Sequence, residues 1–124
     1  MYPVESVSPF LAARAAEYDE LARDIWLHPE PTYHEERSSA LHRRRLAASG
    51  FAVTELPEMA YSFVAEKGRG GPIVAFMGEY DALPGLSQVA EPVRRAAVEG
   101  GAGHGCGHNL LGVGSLAAAE AAAA

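Results

Sequence analysis

Residues 72–77, Pro72, Ile73, Val74, Ala75, Phe76 and Met77, form an unbroken apolar run, and Gly78, Glu79, Tyr80 and Asp81 follow at once. The run does not alternate, so it has the pattern of a central strand buried on both faces of a sheet. A strand of that kind belongs to an α/β architecture with helices packed on the sheet. In open α/β sheets, ligands bind at the carboxyl ends of the strands, and Glu79 and Asp81 stand at that end. Two residues apart on an extended segment, they direct their carboxylates to the same side. Such a pair can hold a cation, orient a histidine that does so, or form a solvated turn.

The remaining periodicities are predominantly helical. Residues 1–8 read as a loose lead-in. From Pro9, with Ser8 as N-cap, Phe10, Leu11, Ala15, Tyr18, Leu21, Ala22, Ile25 and Trp26 recur at three- and four-residue steps and predict one amphipathic helix. His28 and Pro29 stop it, because residues before proline leave the α region. A second helix is expected from His34 to Ser49, with Thr32 and Glu35 at capping-box spacing and Gly50 as its stop. Residues 51–56 and 61–66 read as strands, and Gly68, Gly70 and Gly71 as a turn. Residues 85–107 read as a glycine-rich loop, and the alanine-rich stretch from Asn109 to Ala124 as a helix. A helix after a buried strand normally leads to the next parallel strand, and none follows here. The expectation is therefore an incomplete α/β domain: a lead-in over 1–8, and over 9–124 the N-terminal portion of a larger unit.

Of the 124 residues, 48% are hydrophobic and 21% charged, which is ordinary globular usage and argues against disorder. The net charge of −6 argues against a nucleic-acid partner. The one basic cluster, Arg43, Arg44 and Arg45, reads as a solvated helix face. No stretch is long and apolar enough to span a membrane. The first residues lack the basic region of a signal peptide, so the expected compartment is the cytoplasm. Cys106 is the single cysteine, and an internal disulfide is therefore impossible. A lone thiol in a reducing compartment is a packed hydrophobe, a nucleophile or a metal ligand.

The densest chemistry lies in Gly103, His104, Gly105, Cys106, Gly107, His108 and Asn109. Two imidazoles and a thiol are zinc's preferred donors, and intervening glycines let the backbone turn so that they can converge. Three readings remain open on the residues alone: a metal site, a cysteine nucleophile with either histidine as base, or hydrogen-bonded loop histidines beside an inert thiol. His28 reads as a helix C-terminal cation. No glycine-rich phosphate loop follows a strand.

Three motifs together resemble the aminoacylase/carboxypeptidase family of metal-dependent amidohydrolases. They are Trp26 to Glu30, Gly78 to Gln88 and Gly103 to Gly112, and the resemblance runs from about residue 10 to the end. Within that family the chain is most similar to the branch of the p-aminobenzoyl-glutamate hydrolase B subunit and related dipeptidases. The resemblance implies a mixed-sheet, helix-flanked co-catalytic metallopeptidase domain, with a lid and dimerisation domain later in the chain. It implies two divalent ions, zinc or manganese, with Cys106 and His108 as ligands and Asp81 as the acidic residue that supports the site. Glu79, His104 and Asn109 are candidate supporting residues, and Asn109 stands where much of the family has aspartate. The implied reaction is hydrolysis of an N-acyl amino acid or dipeptide amide, p-aminobenzoyl-glutamate or similar, by a homodimer. The family's base is a glutamate in a Glu-Glu pair downstream. No such pair follows His108, and Glu120 stands alone in its helix, so the 124 residues are expected to be inactive by themselves. The alternative is a short metal-binding module or partner subunit without catalysis.

Overall fold

The computed structural model describes residues 4–124, with side chains from residue 7 onward. Four helices, α1 (Val4–Ala12), α2 (Ala15–Leu27), α3 (Glu36–Ala48) and α4 (His108–Ala122), are joined by one hairpin of β1 (Ala52–Glu55) and β2 (Phe63–Glu66) that packs on α3. The strands are antiparallel, with Val53 opposite Ala65 and Thr54 opposite Val64. The class is α/β, as expected, but the sheet has only these two strands among the described residues.

The core lies where α2, α3 and α4 meet. Tyr18, Ala22 and Ile25 of α2 pack with Leu46 of α3 and Val113, Leu116 and Ala117 of α4. Val53, Phe63 and Ala65 of the hairpin close one side. Ile25 has no exposed surface, and burial of a side chain of that size is worth about 2–3 kcal/mol. A polar fastener crosses the same junction. Glu120, 4% exposed, accepts hydrogen bonds from Tyr18 Oη at 2.6 Å, Arg45 Nε at 2.8 Å and Ser49 Oγ. It links three helices.

Several expectations from sequence need correction. Of the lead-in over 1–8, residues 1–3 lie outside the described residues, and Val4 to Ser8 are helical. Pro9 therefore sits inside α1, and Ser8 is not an N-cap. Packing of α1 against α4 outweighs the amide bond that proline cannot make. The single predicted helix is two. Arg14 N donates to Leu11 O at 3.0 Å, closing α1, and Arg14 O accepts from Glu17 N at 3.0 Å, opening α2. No glycine or proline marks this break, and the apolar stripe passes through it.

The predicted central strand is not formed. Residues 72–77 run without ladder partners, and Ile73 and Met77 are 89% and 87% exposed. A central strand needs a neighbour on each side, and no other segment of the described residues supplies one. The run is held instead against α4, where Ser115 Oγ donates to Met77 O at 2.6 Å. Ala75, Phe76 and Met77 line an open apolar groove with Leu110, Leu111 and Ala118.

Candidate metal centre

The site is assembled by three irregular segments that meet at the C-terminal end of α2. The first, 28–32, leaves α2. Ala82 N donates to Glu30 O at 2.7 Å, and Pro31 pairs with Ala82 in a parallel bridge. The second, 79–83, continues into a short antiparallel contact in which Leu83 and Gly103 exchange both backbone bonds, at 2.9 and 3.0 Å. That contact brings the third segment, 103–109, alongside. It depends on glycine, because a Cβ at Gly103 would lie 2.0 Å from the Leu86 carbonyl oxygen.

Glu79, Asp81 and His108 converge, with one ligand atom of each lying within 4.8 Å of the others. His108 Nδ1 is 2.8 Å from Asp81 Oδ1, and His108 Nε2 is 3.2 Å from Glu79 Oε2. Asp81 and His108 are mostly covered, at 18% and 19% side-chain exposure, whereas Glu79 is open to solvent. Burial works to raise the Asp81 pKa. The Thr32 hydroxyl and the His108 imidazole outweigh it and hold the carboxyl below its ordinary range. With Asp81 accepting from Nδ1–H, Nε2 either donates a second proton to the Glu79 carboxylate or, in the neutral ring, turns a lone pair toward it. Two acceptors at 3.2 Å repel unless a cation or a second proton lies between them. Ligand atoms of a tetrahedral zinc, with bonds of about 2.0 Å, stand roughly 3.3 Å apart, so the pair fits one such ion. A histidine backed by a carboxylate is also the usual arrangement behind zinc ligands.

The other predicted residues are placed differently. Cys106 is exposed and outside this cluster, and none of the described residues makes a hydrogen bond to its thiol. His104 Nε2 donates to Ile25 O at 3.1 Å, and Asn109 Nδ2 donates to Ala22 O at 3.1 Å. Both therefore anchor the 103–109 segment to the last turns of α2. Burial lowers the His104 pKa, and its Nδ1 has no partner. His28 Nδ1 lies 2.8 Å from Asp24 O, in the last turn of α2.

Three contributors were not among the site residues expected from the sequence. Thr32 Oγ1 donates to Asp81 Oδ2 at 2.6 Å, and is not the cap of α3. That cap is Glu30, whose carboxylate accepts from Arg37 N and Ser38 N, each at 2.8 Å, and from Ser38 Oγ at 2.7 Å. His42, 3% exposed, donates from Nδ1 to Ser38 O at 2.9 Å and stacks on Tyr80 with ring centres 4.9 Å apart. It supports the 79–81 segment from behind. Their hydrogen-bond partners lie 4 to 49 residues away along the chain, and Thr32 also fits a local capping pattern.

The chain is 44% identical over 106 residues, 84% of its length, to the B subunit of p-aminobenzoyl-glutamate hydrolase from Escherichia coli. This relative is an aminoacylase-type amidohydrolase. To two further family members, N-acetylcysteine deacetylase of Bacillus subtilis and succinyl-diaminopimelate desuccinylase of Ectopseudomonas mendocina, the chain is 33% identical over 73% of its length and 39% over 52%. The chain spans only 22%, 24% and 17% of these three curated relatives. No family model matches it. Related amidohydrolases are metal-dependent, in keeping with the donors gathered here. No helix among the described residues is long and apolar enough to cross a membrane.

Proposed function

We propose that this chain forms part of the catalytic domain of a metal-dependent amidohydrolase that cleaves N-acyl amino acids or dipeptides, with p-aminobenzoyl-glutamate the leading substrate. The observation that carries the reading is His108 Nε2 facing Glu79 Oε2 at 3.2 Å while Asp81 holds Nδ1. That leaves one lone pair and one carboxylate aimed at the same point. His108 serves as a ligand at that point, Cys106, which stands outside the cluster, is the further ligand that the family resemblance implies, and Asp81 fixes the His108 tautomer and ring plane. Glu79 adds negative charge where a cation sits, and His104 and Asn109 hold the loop in register. A bound zinc or manganese pair supplies a Lewis acid that activates water and polarises the amide carbonyl.

The general base and the remaining ligands implied by the resemblance are not among these 124 residues. The isolated chain is accordingly read as binding metal without turnover, the complete protein as a homodimer, and the compartment as the cytoplasm. The Escherichia coli relative is named as one subunit of its hydrolase, which makes an unlike partner chain the second reading. The test is zinc binding by competition with a chromophoric chelator, together with release of p-aminobenzoate from p-aminobenzoyl-glutamate. The expected result is binding that His108→Ala abolishes, with no hydrolysis by the chain alone. Binding unaffected by His108→Ala would overturn the site, and hydrolysis by the 124 residues would overturn their inactivity.

A further inference from the structure

Asp81 is held at both carboxylate oxygens. Oδ1 meets His108 Nδ1 at 2.8 Å, and Oδ2 accepts from Thr32 Oγ1 at 2.6 Å. The second distance is that of a charge-assisted O–H···O⁻ bond. A carboxylate tied at one oxygen can still rotate about its Cβ–Cγ bond, whereas one tied at both has its plane fixed. The Asp81 plane in turn sets the plane of the His108 ring and the direction of its Nε2 lone pair.

The backbone around Thr32 is set firmly. The bridge between Pro31 and Ala82, with the 2.7 Å bond from Ala82 N to Glu30 O, brings residue 32 beside residue 81. On the other side, Glu30 is bound to the first turn of α3 through Ser38. Tyr33, the next residue, is held at φ 66°, a left-handed conformation that a non-glycine side chain seldom adopts. Local strain of this kind persists only where surrounding contacts determine the chain path.

We infer that Thr32 is a positioning residue of the metal centre, its hydroxyl fixing the Asp81 carboxylate that orients His108. The inference rests on the proposed function only for the metal. The orientation of the imidazole is a property of the chain itself.

The test compares Thr32→Val, which keeps shape but loses the hydroxyl, with Thr32→Ser, which keeps the hydroxyl. Long-range proton–nitrogen correlation spectra report the tautomer of His108 in the metal-free protein, and chelator competition reports zinc affinity. Thr32→Val is expected to mix the His108 tautomers and weaken zinc binding by about 3- to 10-fold, less than the 10- to 100-fold of groups that orient ligands directly, because Thr32 acts through Asp81. Thr32→Ser is expected to restore both. Thr32 is exposed, so the fold is expected to survive. Should Thr32→Val perturb it, Thr32→Ala replaces it in the same comparison. A hydroxyl-free variant with wild-type tautomer and affinity overturns the inference, as does a serine variant as impaired as valine. If the unaltered protein binds no zinc, the metal reading fails, and the tautomer comparison still decides the role of Thr32.

Discussion

Gly112 of α4 lies so close beneath Glu79 that a Cβ at position 112 would stand 2.7 Å from the Glu79 carbonyl oxygen and 3.0 Å from His42 Nε2. The helix that carries His108 is thereby pressed against the segment that carries Glu79 and Asp81. The distance between the two halves of the site is set by the absence of a side chain.

Gly112→Ala therefore sets two effects against each other. Alanine in a helix interior gains about 1 kcal/mol over glycine, and overpacking against fixed neighbours costs about 1–3 kcal/mol. The neighbours here are backbone and a buried imidazole, neither of which can swing away, so a net loss is expected. Gly114, in the same helix, has nothing within 4 Å of a built Cβ, so Gly114→Ala should be neutral or stabilising by up to about 1 kcal/mol. Urea unfolding of the two variants checks the contrast. Equal effects would show that the contact between Gly112 and Glu79 is not tight.

Glu30 joins the site to the helix scaffold. Its carboxylate caps α3 through Arg37 N and Ser38 N, and its carbonyl accepts from Ala82 N. Glu30→Ala should cost about 1–2 kcal/mol, the loss of a cap and of a negative charge at a helix N-terminus. It should also loosen residues 28–32, and with them Thr32. Amide exchange at Arg37, Ser38 and Ala82 is the measurement. Faster exchange confined to α3, with Ala82 unchanged, would separate the two roles.

Much of this arrangement was legible in the sequence and some was not. Residues 52–55 and 63–66, inside the two predicted strands, form the hairpin, and α3 and α4 lie within a few residues of their predicted bounds. The pairing of Glu79 with Asp81 on one side, near the histidine-rich loop, follows from two-residue periodicity. The break at Ala13 and Arg14 was hidden because it keeps the apolar stripe in phase. The run 72–77 reads as a central strand because its composition asks for neighbours on both sides, and composition cannot say whether those neighbours are present. Thr32 was misread because a capping box is a local pattern, while its actual partner, Asp81, is 49 residues away.

Asp81→Asn tests the tautomer directly. Asparagine keeps the shape but can present its amide nitrogen to Nδ1, which favours the other tautomer and turns an N–H toward Glu79. Loss of a group that orients a ligating histidine typically costs 10- to 100-fold in metal affinity, and about that loss of zinc affinity is expected. Glu79→Gln should cost less if Glu79 contributes mainly charge, because it is open to solvent. Chelator competition gives both values, and a larger loss for Glu79→Gln would make Glu79 the stronger ligand.

The cluster around Glu120 makes folding pH-dependent at both ends. Burial works to raise the Glu120 pKa, but the bonds from Arg45, Ser49 and Tyr18 outweigh it and hold the carboxyl below its ordinary 4.5. A depressed acid stabilises the fold above its unfolded pKa, and that stability is lost as pH falls from about 4.5 through the lower folded value. Burial, with the bond to Glu120, pushes the Tyr18 hydroxyl up to about 12 from 10.0. A raised acid contributes stability that is complete below pH 10 and disappears as pH rises toward 12. Stability attributable to this cluster should therefore be flat between roughly pH 5 and 10 and fall on either side. Tyr18→Phe keeps the packing and should remove the alkaline limb, at a cost of about 1.5–3 kcal/mol for a hydrogen bond to a charged group. Glu120→Gln should remove the acid limb and cost about 2–3 kcal/mol. This is below the usual range for breaking a buried pair, because Arg45 keeps Glu17 as a partner and a quarter of its surface in water. Denaturant unfolding of both variants across the pH range measures the limbs separately. An acid limb that survives in Glu120→Gln would assign acid sensitivity to another carboxylate, with Asp81 and Asp24, both held below their ordinary range, the next to replace.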